Sequence, residues 1–175
     1  MGRTGSRRVP NERERDIMAI MHRNPTNALP EVVVRAAQPG DLATVVALDA
    51  ETTGMEKAAY WKERFTWYVN GERGRFFLIA ERGSEAVGFI VGEIRAWEFG
   101  SPPGGWIFAV NVRPAERLHG LGTVLFDAIC ARFRKAGVET ARTMLAKDDP
   151  LVMSFFRSQG MRAGPFIQLE KRLDS

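Results

Sequence analysis

Cysteine is nearly missing from this chain: Cys130 is the only one among 175 residues. An intrachain disulfide is therefore excluded, and a reducing, cytoplasmic setting fits. Histidine is almost as scarce, with His22 and His119 alone. They lie far apart, and no cluster of other ligands accompanies them, so no metal site is expected. No apolar run approaches the ~20 residues of a membrane-spanning helix. Arg7-Arg8 precedes no apolar stretch, which argues against a twin-arginine export signal. Two familiar nucleotide loops are absent as well. The pattern Gly-x-Gly-x-x-Gly fails because position 125 is Leu125, and no Gly-Lys-Ser/Thr occurs.

The residues that are present describe a globular protein. Apolar residues make up 45% and charged residues 26%, and the length suits one domain with a sizeable core. The net charge is +4 and the pI about 9.6. Such a balance fits either a soluble basic surface or attraction to an anionic cofactor, nucleic acid or acidic partner. Nucleic acid is the least favoured of these, because neither an aromatic RNA-binding motif nor a helix-turn-helix can be read.

Residues 1–30 differ in character from the rest. Arg3, Arg7, Arg8, Arg13, Arg15 and Arg23 crowd them, and Pro10, Pro25 and Pro30 break them. Asn11 with Glu14 could cap a short helix carrying Ile17, Ile20 and Met21. They read as a basic, partly disordered extension to a domain over 31–175.

That domain opens with a strand at Val32-Val33-Val34. Asp41 is expected to cap a helix from Leu42, with Leu42, Val45, Val46 and Asp49 on one face. After Thr52-Thr53-Gly54, Tyr60, Trp61, Arg64, Phe65 and Tyr68 recur at helical spacing. Phe76–Ala80 and Ala86–Trp97 read as strands joined by a hairpin turn. Trp106–Val112 is the next strand. Leu121–Ala136 is a helix, with Cys130 in its buried side, and Gly137 stops it. Val138–Ala146 reads as a strand, Pro150–Gln159 as a helix and Phe166–Leu173 as a last strand. The order makes a mixed α/β domain with a helix-covered sheet.

One segment carries chemistry. Val110 to Thr123 ends a strand, turns through Gly120 and Gly122 and opens a helix. A helix N-terminus offers unpaired N–H donors and partial positive charge, which suits a diphosphate. Glycine admits close approach, and Arg113, Arg117 and His119 add donors nearby.

With the dinucleotide and triphosphate loops excluded, Arg117-x-x-Gly120-x-Gly122 resembles the cofactor motif of the GNAT superfamily of N-acetyltransferases. The resemblance extends over about 31–173. It includes Val32–Asp41 as first strand and helix start, Ala86–Ile90 as third strand, and Pro150–Met161 as late helix. It implies a mostly antiparallel, twisted sheet with helices on both faces and splayed fourth and fifth strands. It implies acetyl-CoA, or another acyl-CoA, threading that gap. Val110 and Val112 would then meet the pantetheine arm, and the N–H groups of Arg117, Leu118, His119, Gly120, Leu121, Gly122 and Thr123 the pyrophosphate. Phe156 would border the cofactor. Arg132, Arg134 and Lys135 read either as a solvated helix face or as contacts to the 3′-phosphate. Homodimers are frequent in the resembled family.

The implied activity is direct acetyl transfer to a primary amine of a small molecule, peptide or protein. A non-catalytic acyl-CoA-binding or regulatory module is the alternative, because the usual proton-handling groups are replaced. The tyrosine acid of the late helix corresponds to Phe156, and an asparagine seven residues earlier to Asp149. The glutamates of other members correspond to Trp106 and about Met144. The Val112 N–H remains as an oxyanion-type donor. For a base, Glu93 and Glu98 lie on the expected third strand, on opposite faces, and Glu98 is preferred as nearer the loop. Glu51 and Glu56 are placed to attract a cationic acceptor.

Overall fold

A computed structural model describes residues 31–70 and 73–173. The extension over 1–30, with its expected helix, lies outside the described residues. The order is β1 (Val32–Ala36), α1 (Leu42–Thr53), α2 (Ala58–Val69), β2 (Arg75–Arg82), β3 (Glu85–Arg95), β4 (Gly104–Val112), α3 (Leu121–Lys135), β5 (Ala141–Thr143) and α4 (Pro150–Ser158). The strands form one sheet in sequence order. All neighbours are antiparallel except β4 and β5, which run parallel.

Both faces of the sheet are covered, so its central strands are apolar almost without interruption. Successive side chains point to opposite faces. Phe77, Ile79, Phe89 and Val91 pack against Val45, Leu48, Trp61, Phe65 and Tyr68 of α1 and α2. Leu78, Ala80 and Ile90 pack under Leu121, Leu125, Ile129 and Phe133 of α3, with Phe156 of α4 beside them. Cys130 is buried in that second core, and burial pushes its thiol pKa up. No helix among the described residues is long and apolar enough to cross a membrane.

Four expectations about elements need correction. Asp41 does not cap α1 with its side chain. Its carboxylate instead accepts from the Gln38 N–H at 2.7 Å and from both terminal nitrogens of Arg35 at 2.6 and 2.8 Å. It thereby closes a 3-10 turn at Pro39–Asp41. Strand β3 stops at Arg95, because Trp97 takes a left-handed backbone with φ 64° and the chain turns into a 3-10 segment at Glu98–Gly100. Strand β5 has three residues instead of the nine read over Val138–Ala146. Val138 is buried in the connecting loop. Residues 166–173 form no strand, and Phe166, Ile167, Leu169 and Leu173 are exposed.

Candidate active site

The short β5 has a cause in β4. Val91 of β3 faces Ala109 while Gly92 faces Ile107, so Phe108 is one residue extra. This bulge turns β4 away, and its ladder with β5 ends at Ile107 opposite Thr143. From Phe108 to Val112 the β5-side edge of β4 is open. Pair geometry fixes which groups face it. Arg113 N–H donates to Val87 C=O at 2.9 Å, so bonded pairs alternate back through Asn111 and Ala109. The amides of Val110 and Val112 therefore point away from β3, into the gap. Arg117 Nε reaches Val112 C=O there, at 3.3 Å.

The gap is part of a cleft of about 410 Å³ that passes through the sheet. Asp49, Thr52, Lys57 and Tyr60 line it on one side, and Val152 and Phe156 on the other. Its size falls in the range of small-molecule sites, ~300–1,000 Å³.

At the far end of the gap β4 leads into α3. The N–H groups from Leu118 to Thr123 have no partner among the described residues; the first bonded one is Val124, to Gly120 C=O. Gly120 is the N-cap, with φ 77°, and Leu118 is also left-handed, with φ 66°. Leu118 is fully exposed at 100%. The strained turn thus presents a row of free donors at the positive end of a 15-residue helix. Free donors, a helix N-terminus and an open strand edge in continuity fit the pyrophosphate and amide-bearing arm of coenzyme A.

A family model described as the acetyltransferase (GNAT) family matches residues 42–161. The chain belongs to that family. A curated relative, the L-2,4-diaminobutyric acid acetyltransferase of Nocardia farcinica, is 27% identical over 148 residues, covering 82% of this chain and 71% of that protein. The solved structure of aminoglycoside N-acetyltransferase AAC(6')-Iy with CoA superposes with a TM-score of 0.74 at 13% identity, over 85% of this chain and 99% of that one. A transcriptional regulator from Bacillus halodurans does so with 0.69 at 21%, over 82% and 100%.

Within this GNAT domain the sequence-expected residues fall unevenly. Val110, Val112 and the segment from Arg117 to Thr123 lie along one continuous path. Phe156 is 4% exposed; it packs on Phe126 and Phe155 and walls the cleft. Gly122 also packs on α4, since a Cβ there would meet the Phe155 ring. Arg113 is ion-paired with Glu85 and Glu51. Arg132, Arg134 and Lys135 occupy the last turn of α3. Arg132 is roughly 17 Å along the axis from Leu121, at ~1.5 Å per residue. They complement the helix dipole there, and the 3′-phosphate assignment gains no support.

Glu98 is the clearest displacement. It is exposed in the 3-10 turn after β3, 3.9 Å from Arg95. Arg95 pairs with Gly104 at the other end of β4, roughly 26 Å from Val112 at ~3.3 Å per residue. The fold does not bring Glu98 to the cleft. Glu93 is also committed elsewhere: it accepts from Tyr68 Oη at 2.5 Å and Arg95 Nε at 2.7 Å. Burial alone would raise its pKa, but these bonds outweigh burial and hold it below the ordinary value. Burial, then the Glu93 bond, push the Tyr68 phenol well above its usual range. Asp149 accepts from the Val152 N–H at 3.0 Å and caps α4. Trp106 lies under Arg95, and Met144 is exposed at the cleft margin. Glu56 borders a separate alanine-rich surface groove over α1 and α2.

Two cleft residues escaped the sequence reading. Asn111 is buried and accepts from Thr52 Oγ1 at 3.1 Å. Asp49 is 6% exposed, and its carboxylate takes the Trp61 indole N–H at 2.9 Å and the Lys57 ammonium at 2.8 Å. The available signal was a carboxylate in register with Leu42, Val45 and Val46 on the apolar face of α1.

Proposed function

We propose that the protein is an acetyl-CoA-dependent N-acetyltransferase that transfers the acetyl group directly to a primary amine. The open edge of β4 running into the free donors of α3 carries this reading. Val110 and Val112 would align the cofactor arm, and the N–H groups from Arg117 to Thr123 would hold its diphosphate. Bound there, acetyl-CoA supplies an activated thioester.

The residues of the chain do the rest. The Val112 N–H faces the gap and is placed to stabilise negative charge developing on an acyl oxygen. Phe156 and Val152 keep that wall dry, which strengthens such an interaction. The reacting amine must be neutral, a handicap of roughly 4 kcal/mol for a lysine-like group at pH 7. Proximity offsets much of it. No side-chain acid stands at Phe156, and none is required for a leaving thiol of pKa ~8.5.

A small-molecule acceptor is favoured within this reading. The cleft's volume of about 410 Å³ supports it, as do the names of two relatives, a diaminobutyric acid acetyltransferase and an aminoglycoside N-acetyltransferase. A homodimer and a cytoplasmic location belong to the same proposal. The exposed apolar residues of 166–173 support the first, and the single, buried cysteine the second.

Calorimetry with coenzyme A, followed by thiol release from acetyl-CoA across an amine panel, tests the reading. Binding with amine-dependent thiol release is expected. The absence of proton-handling side chains at Phe156, Trp106 and Met144 favours a second reading, a non-catalytic acyl-CoA-binding module. Tight binding without release by any amine would establish that one instead.

A further inference from the structure

Asp49 is a buried carboxylate whose surroundings are only partly explained by folding. It sits on the inner face of α1 beside Val45 and Leu48 and lines the cleft. Both of its partners, Trp61 Nε1 and Lys57 Nζ, use Oδ2. Oδ1 has no hydrogen-bond partner among the described residues. Trp61 is locked in turn, edge-on to Phe89 and tilted against Phe77, so the carboxylate has a fixed position.

Lys57 is the more exposed member. It is the N-cap residue of α2, and no acidic residue occupies that helix's first turn. A cation there opposes the helix dipole, so the helix does not account for it; Asp49 does. The Lys57 side chain is 34% exposed, against 8% for Asp49. Lys57 is thus a solvent-reachable cation closing a buried anion.

We propose that Asp49 is a subsite for an ammonium group of the acceptor, and that Lys57 is its resident counter-ion, displaced when the acceptor enters. The inference rests on the N-acetyltransferase reading of the same cleft. Leaving the carboxylate unpaired would be costly, whereas exchanging one ammonium for another keeps the charge paired. An alcohol or apolar group cannot make that exchange. In this exchange the anchored nitrogen stays protonated, because a carboxylate stabilises the charged form, whereas the attack needs a neutral amine. The acceptor therefore carries at least two amino groups, one held charged at Asp49 and one presented to the thioester. The hydroxyls of Thr52 and Tyr60 and the amide of Asn111 complete a polar lining for the chain between them.

The test uses the full chain, a series of α,ω-diaminoalkanes and the matching monoamines. Calorimetry with coenzyme A present reads binding, and thiol release reads turnover. The wild type should favour a diamine by at least about tenfold in kcat/KM. Lys57→Met should tighten diamine binding about tenfold by removing the internal competitor. Asp49→Asn should weaken it at least about tenfold and leave the Kd for coenzyme A unchanged. The double variant Asp49→Asn/Lys57→Met buries no charge and should unfold at the wild-type temperature, yet treat diamines and monoamines alike. Equal wild-type turnover of both classes would overturn the inference while leaving the N-acetyltransferase reading intact, as would a double variant that still prefers diamines. Failure to bind coenzyme A, or to acetylate any amine, would overturn both.

Discussion

A methyl group at Gly122 would lie 2.8 Å from Cε2 of Phe155. This glycine is where α3 and α4 meet, and its missing side chain makes room for a ring. Gly120, two residues earlier, has open space around it but a backbone at φ 77°. The two glycines of one motif thus serve different physical ends, conformation at Gly120 and packing at Gly122.

Substituting each should separate those ends. Gly120→Ala is expected to cost about 1–2 kcal/mol from its left-handed backbone and to weaken coenzyme A binding as the donor row tilts. Gly122→Ala is expected to cost about 1–3 kcal/mol by overpacking. Phe155→Leu should then recover part of the Gly122→Ala loss and none of the Gly120→Ala loss, because only one of them touches that ring. Urea unfolding of the single and double variants reads the difference. Equal recovery in both would contradict it.

Acid stability should depend on Asp41. Its bidentate Arg35 partner and the Gln38 N–H hold its pKa below the ordinary value. A carboxylate depressed on folding contributes stability above its unfolded pKa of ~3.9. That contribution is lost as pH falls through the folded value, below about 4. Glu93 acts in the same direction. Asp41→Asn should therefore unfold more easily at pH 7 and lose less further stability below about pH 4 than the wild type. Unfolding curves across that window check the sign, and a steeper acid limb in the variant would reverse it.

Glu98 and Glu93 offer a control on catalytic assignments. Glu98→Gln should leave kcat/KM within about twofold of wild type, since the residue stands in an exposed turn away from the cleft. Glu93→Gln should lower stability, because it unbalances the Tyr68 and Arg95 bonds. It should change the pH profile of kcat little. A tenfold fall in kcat from Glu98→Gln would return it to the role expected from sequence.

The fold was legible in the sequence where a segment's own pattern decides its structure. Paired glycines ahead of an amphipathic helix marked the donor turn, and the apolar periods of α1 to α3 marked the two cores. The fold was not legible where a partner decides. The apolar run over Val138–Ala146 is strand-like, yet its ladder ends where the bulge at Phe108 turns β4 away. Nothing in either segment's own pattern reveals that divergence. Glu98 was misplaced because Trp97, a residue of high strand propensity, adopts a left-handed backbone. Asp49 was passed over because a carboxylate on an apolar helix face gains meaning only when Trp61 and Lys57 are seen beside it.

Self-association should depend on the last described residues. Residues 166–173 expose Phe166, Ile167, Leu169 and Leu173 without forming a strand, and beyond β5 the sheet has no further strand among the described residues. An open edge beside an apolar segment is a template for pairing. A dimer is therefore expected in sedimentation analysis, and Ile167→Lys with Leu169→Lys should shift it to monomer. A wild type that stays monomeric at all accessible concentrations would count against this.

Phe156 should act through packing and not as an acid. The ring is packed against Phe126 and Phe155 while also walling the cleft, so it fills space where the resembled family places an acid. If the thiolate departs without a side-chain proton donor, Phe156→Tyr adds a hydroxyl that the reaction does not need. That hydroxyl must reach the cleft or remain unpaired in the core, at a cost of about 1–3 kcal/mol. Turnover should change by less than about threefold and stability should fall modestly. Phe156→Ala should cost about 3–5 kcal/mol and open the cleft to water, lowering kcat more than coenzyme A affinity. Single-turnover thiol release, compared with calorimetric binding, separates these effects. A large gain in kcat from Phe156→Tyr would mean that proton supply to the leaving thiolate limits the wild-type rate.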